Sequence, residues 1–159
     1  MKILILTNKA VFPIQDGLDL PIAKLSESFS KNHEVFFLRT YTCEHIPPEF
    51  NTSESQPQHV KKFFTARVNQ DQGIKALVKE LSLQKPNYFV NDFANPSDLQ
   101  QLKDIEFDWI WVSPEGLLPL AELIKTTLHP KAKISLGINE PQYTVFANKL
   151  HNLKKGREN

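Results

Sequence analysis

Three short polar clusters are the residues best placed to do chemistry: Asp16-Gly17, Ser113-Pro114-Glu115-Gly116 and Asn139-Glu140. Each lies in a loop that leaves an apolar run readable as a buried strand. In a parallel sheet the three would therefore gather along one carboxyl edge, where helix N-termini also point their positive dipole ends. With no ligand in view, the same residues are a turn at Asp16-Gly17 and helix caps at Glu115 and Asn139. Other chemistries find less support. The first loop has only Gly17 and lacks the G-x-G-x-x-G fingerprint of dinucleotide binding, and no strand is followed by a P-loop lysine motif. The first strand ends in Thr7-Asn8 and Asp108 begins its strand, so the carboxylates of a phosphate-handling receiver domain are missing. His33, His45, His59, His129 and His151 lack metal-ligand spacing. Cys43 sits in a polar loop without a helix N-terminus or adjacent cation to activate it.

The elements that must position these clusters can be read from periodicity. Met1 to Thr7 is a continuous apolar run, the pattern of a strand buried on both faces. After the loop Asn8 to Gly17, Asp19 serves as an N-cap, Pro21 fits the first helical turn, and Ile22, Leu25 and Phe29 form a buried stripe. Glu34 to Arg39, with Val35-Phe-Phe-Leu38, is a second strand. Residues 41–58 are rich in Pro, Ser, Thr and Asn; so long a loop is either functional or mobile. Val60 to Val68 holds a third strand around Phe63-Phe64, and Ile74, Leu77, Val78 and Leu81 mark a helix ending before Pro86. Asn87 to Phe93 reads equally as a strand or a short helix, because periodicity does not separate them over so few residues. Asn95-Pro96 opens a capped helix carrying Leu99 and Leu102. Asp108 to Ser113 is a strand, Gly116 to Leu128 a helix with Pro119 in its first turn, and Ala132 to Ile138 a last strand. Asn139-Glu140-Pro141 then opens a helix with Val145, Phe146 and Leu150 as its stripe. This alternation predicts a single Rossmann-like domain: a doubly wound, mostly parallel sheet with helices on both faces.

Composition narrows the partners. With 19 basic against 18 acidic residues the net charge is +1, which gives no electrostatic case for nucleic acid or an anionic membrane. The basic tail Lys154-Lys155-Gly156-Arg157 reads as a solvated end. A single cysteine excludes an internal disulfide and fits a reducing compartment. No secretory h-region and no transmembrane segment is visible, so the expectation is a cytoplasmic chain.

Over roughly residues 1–150 the chain resembles the N-terminal, acceptor-side domain of GT-B type glycosyltransferases, notably the retaining family 4. The motifs that carry the resemblance are the opening Met1-Lys-Ile-Leu-Ile-Leu-Thr7, the loop with Phe12-Pro13 and Asp16-Gly17, and the strand His33-Glu-Val-Phe-Phe-Leu38. Phe107-Asp-Trp-Ile-Trp-Val-Ser113-Pro-Glu-Gly116 and Lys131-Ala-Lys-Ile-Ser-Leu-Gly-Ile-Asn-Glu140 follow in the family's order. Two departures stand out: the first loop lacks consecutive glycines, and Ser113-Pro-Glu115 occupies a place where a histidine is frequent.

The resemblance implies a hexosyl transferase whose donor is a nucleotide sugar and whose acceptor is a hydroxyl of a sugar, lipid or other molecule. The donor would bind mainly to a C-terminal GT-B domain that this sequence does not contain. The expected partners are thus that domain and the acceptor, with no cofactor bound by this chain and no activity from it alone. By the same resemblance, Gly17 would let backbone approach donor phosphates or acceptor, and Glu115 could bind or polarise an acceptor hydroxyl. Asn139 and Glu140 could bind sugar hydroxyls. Two alternatives stay open: a non-catalytic binding module of the same fold, and a small flavodoxin-like α/β enzyme.

Overall fold

A computed structural model describes residues 1–15, 17, 19–50, 56–70 and 90–137. In chain order these hold β1 (Lys2–Thr7), α1 (Asp19–Ser30), β2 (Glu34–Tyr41), β3 (Val60–Gln70), β4 (Val90–Phe93), α2 (Pro96–Gln100), β5 (Trp109–Ser113), α3 (Leu118–Thr127) and β6 (Lys133–Leu136). Five strands are mutually parallel in the order β3-β2-β1-β5-β6, a Rossmann-like sheet, and β4 adds an antiparallel edge beyond β3. The expected fold class is the one observed.

The period of two along each strand divides the core. Ile3, Ile5, Val35 and Phe37 pack with Ile22 and Ala23 of α1 on one face. Leu4, Leu6, Phe36, Leu38, Ile110 and Val112 pack with Leu120, Ala121 and Ile124 of α3 on the other. Every residue from Ile3 to Leu6 is fully buried because helices cover both faces, which is why the sequence shows a continuous apolar run and no alternation. At the amino edge the Asp108 carboxylate accepts the Lys2 amide at 2.7 Å, which ties the start of β5 to the start of β1. Its role there is structural.

Several boundaries differ from the sequence reading. β2 runs on to Tyr41 and β6 ends at Leu136. The buried face of α1 is Asp19, Ile22, Ala23 and Ser26, with Leu25 and Phe29 only half-buried. Asn95 caps α2 as expected, accepting from the Ser97 amide at 3.3 Å, but that helix stops at Gln100 and Leu102 is buried in the turn beyond. The ambiguous stretch before Asn95 contributes β4, with Val68 opposite Phe93. Pairing along the free edge of β3 decided that segment, a term that local periodicity does not contain. The helix expected around Ile74 to Leu81 and the one opened by Asn139-Glu140-Pro141 lie outside the described residues, as does the basic tail. Among the described residues no helix is long and apolar enough to cross a membrane.

Candidate functional site

The carboxyl ends of β2, β1 and β5 are level, since Thr7 lies opposite both Arg39 and Ser113. In this strand order the direction of winding reverses between β1 and β5, so the loops leaving them part and open a crevice. A cavity of about 390 Å³ occupies that place. Its walls are three segments: Asn8 to Ala10 with Gln15 and Asp19, then Thr40 to Cys43 with Pro47, Glu49 and Phe50, and lastly Pro114, Gly116 and Leu117, with Val68 beside them.

Each wall is fixed by local chemistry. Thr7 is fully buried, and its hydroxyl oxygen accepts the Lys9 amide at 3.1 Å, turning the chain away from the sheet as soon as β1 ends. The Thr40 hydroxyl donates to the Thr7 carbonyl at 3.3 Å and so joins the first two walls. Beyond Ala10, Val11 is fully buried at φ 67°, a left-handed conformation that disfavours a β-branched residue by on the order of 1–3 kcal/mol. Its packing with Ile3, Ile5 and Ile22 holds it there. Asp19, the first residue of α1, is 4% exposed, and its Oδ2 accepts the Gln15 amide at 3.1 Å. That bond closes the first loop onto the helix.

The second wall hangs on Arg39. Its side chain is 5% exposed, with the guanidinium 4.3 Å from the Phe63 ring centre and 5.0 Å from that of Phe50. Nη2 donates to the Phe50 carbonyl at 2.7 Å, while Nε has no hydrogen-bond partner among the described residues. Burial pulls this guanidinium down to about 10. Phe50, drawn in by Arg39, meets Tyr41 edge-on with ring centres 6.2 Å apart. The Tyr41 hydroxyl is held protonated above its ordinary value, first by burial and next by the nearby Asp98 charge. It therefore remains a hydrogen-bond donor throughout the neutral range.

The third wall begins at Ser113-Pro114. Pro114 precedes a single 3-10 turn, Glu115–Leu117, closed by the Leu117 amide on the Pro114 carbonyl at 3.1 Å, and this turn leads into α3. The expected helix at Gly116 thus begins two residues later, with Pro119 in its first turn.

The residues expected from sequence fall into three groups. Gly116 lines the cavity. Glu115, its half-buried neighbour, is not part of the wall, nor is Gly17, which is exposed and where an added Cβ would meet nothing within 4 Å. Asp16, Asn139 and Glu140 lie outside the described residues. Sequence reasoning missed Asn8, Gln15, Asp19, Thr40, Tyr41 and Phe50 as wall residues. The legible signals for them were the place of Asn8 and Gln15 in the loop that leaves β1 and the unusual length of the loop after β2. Cys43 lies in the wall with its thiol donating to the His45 carbonyl at 3.0 Å. Among the described residues no group of His, Cys, Asp and Glu is arranged to hold a metal ion.

Among the described residues, the wall combines amides and hydroxyls and two aromatic rings with Ala10, Pro47, Val68 and Leu117, and carries one lysine against two carboxylates. Such a surface can hydrogen-bond hydroxyl groups and pack the C–H face of a ring on the half-buried Tyr41. No family model, no curated protein and no solved structure matches the chain. What places it is its own architecture, a Rossmann-like parallel α/β sheet with a crevice of mixed polar and apolar lining at the point where the winding reverses.

Proposed function

We propose that the crevice binds an uncharged, hydroxyl-rich ligand, and that the chain is the acceptor-side domain of a nucleotide-sugar-dependent glycosyltransferase of the GT-B type. The observation that carries the reading is the composition of the wall: Asn8, Gln15, Thr40 and Thr42 around the rings of Tyr41 and Phe50. Amides and hydroxyls both donate and accept, matching the alternating demands of a sugar ring. The scarcity of cations among the described wall residues argues against the phosphates of a donor, which would rest chiefly on a second, C-terminal domain. In this proposal the described crevice is one side of a cleft, the acceptor hydroxyl lies against it, and the chain by itself transfers nothing. The volume is within the range of small-ligand sites.

Calorimetric titration of the chain with methyl hexosides, flavin mononucleotide, and uridine and guanosine diphosphates tests this. The expected outcome is sugar binding with a dissociation constant on the order of 1 mM. Affinity should fall about tenfold in Tyr41→Ala and in Thr40→Val, as one or two buried hydrogen bonds are lost. Tight flavin binding would move the chain to the flavodoxin-like reading. Sugar binding unaltered in both variants would place the ligand elsewhere.

A further inference from the structure

The loop that forms the first crevice wall contains a residue in backbone that its type disfavours. Val11 has a φ of 67° and no exposed surface, and a β-branched side chain rarely adopts that left-handed region. Glycine takes it without steric cost. A valine kept there must supply something that glycine lacks, and what glycine lacks is a side chain.

The packing shows what that side chain does. In extended backbone successive side chains point to opposite sides. The turn at Val11 breaks this alternation, and Val11 and Phe12 both enter the core under α1. Val11 joins the cluster of Ile3, Ile5 and Ile22, whereas Phe12 meets the rings of Phe37 and Phe63 edge-on, with centres 5.9 and 6.2 Å away. Wall residues stand on either side of the pair, Asn8 to Ala10 before it and Gln15 after it. One amide ties each flank: Lys9 donates to the Thr7 hydroxyl oxygen and Gln15 to the Asp19 carboxylate, both at 3.1 Å. Residues 10–14 make no hydrogen bond among the described residues. Between the two ties, it is the inserted side chains that fix the course of the chain.

We infer that Val11 is a positioning residue of the crevice: its side chain, seated in the core in a left-handed backbone, sets where Asn8 to Ala10 and Gln15 stand. This rests on the reading of the crevice as the sugar site and names a residue that shapes it without touching the ligand. The strained backbone follows from seating two consecutive side chains in one core. The rigidity so gained holds the carboxamides of Asn8 and Gln15 ready for a ligand, so that less order is lost when one binds.

Amide hydrogen exchange and methyl hexoside titration of the full chain, run side by side on the parent and three variants, test this. In Val11→Gly the backbone can keep its turn but the side chain is gone. The Lys9 and Gln15 amides are expected to exchange about tenfold faster, and methyl hexoside affinity to fall about tenfold. Val11→Ala should show part of both losses, and it decides the matter if the glycine variant does not fold. Val11→Thr keeps the branched shape but buries a hydroxyl. Its urea midpoint should drop, while exchange at Lys9 and Gln15 and sugar affinity stay near the parent's. Unaltered exchange in the glycine and alanine variants overturns the inference. So does faster exchange with undiminished affinity, or an affinity loss that follows the urea midpoint and is as large in the threonine variant. No binding of methyl hexoside by the parent overturns the sugar reading, and exchange alone then decides whether Val11 sets the wall.

Discussion

Arg39 has the widest reach of any single side chain near the crevice. It spans two rings and anchors the Phe50 carbonyl, so the loop after β2 lies where it does because of one buried cation. Replacing it by Met keeps the packing but removes the hydrogen bond and the ring contacts, while relieving the cost of burying charge. The net expectation for Arg39→Met is a loss of about 1–2 kcal/mol in urea denaturation, and for Arg39→Ala about 2–4 kcal/mol, because a cavity is added. Both should also weaken sugar binding through the displaced Phe50. His129, at the far end of the sheet, makes a separate prediction about acid stability. It is 4% exposed, packs against the edge of Phe107, and has a buried Nε2 without a partner among the described residues. Burial lowers its affinity for a proton, partly offset by Glu106 and the Leu102 backbone. A histidine held neutral in the fold but free to charge when unfolded contributes its full stability above its ordinary value of about 6.5. That stability is lost as pH falls from there toward the lower folded value. Chemical denaturation at a series of pH values should show this decline, and His129→Asn should make it shallower.

At the scale of elements, the loops that leave β1 and β5 were legible, because strand-loop-helix patterning is local and the carboxyl-edge rule converts it into a site. The loop after β2 was legible only as too long to be a plain connection. Its contribution of Phe50 depends on the Arg39 contact, which joins residues eleven positions apart across irregular backbone and leaves no periodic trace. Asp19 illustrates a similar gap. A carboxylate at a helix start reads as a cap, whereas here it is buried and closes the first loop through Gln15. The outer strand β6 offers a test of how tightly such edges are packed. A Cβ at Gly137, immediately after β6, would overlap the indole of Trp111. Gly137→Ala should therefore cost about 1–3 kcal/mol through overpacking and shift the tryptophan emission, because Trp111 must move. A variant as stable as the parent, with unaltered fluorescence, would show that this edge gives way freely.

For the whole molecule, the parallel sheet and its two-faced core could be foreseen because they rest on hydrophobic burial, the term most directly written into residue order. The antiparallel strand β4 could not, since four residues pair there only because β3 has a free edge. The same division holds for function. The place of the crevice follows from topology, while its chemistry depends on side chains that three separate loops bring together. Everything proposed about sugar binding rests on that one crevice being the ligand site. The most direct test is a backbone amide NMR titration of the chain with a methyl hexoside. The account predicts shifts confined to residues 8–10, 15, 19, 40–43, 49–50, 68 and 116–117, with none for flavin mononucleotide. Shifts centred instead at the opposite, amino edge of the sheet, around residues 31–34 and 106–108, would contradict it.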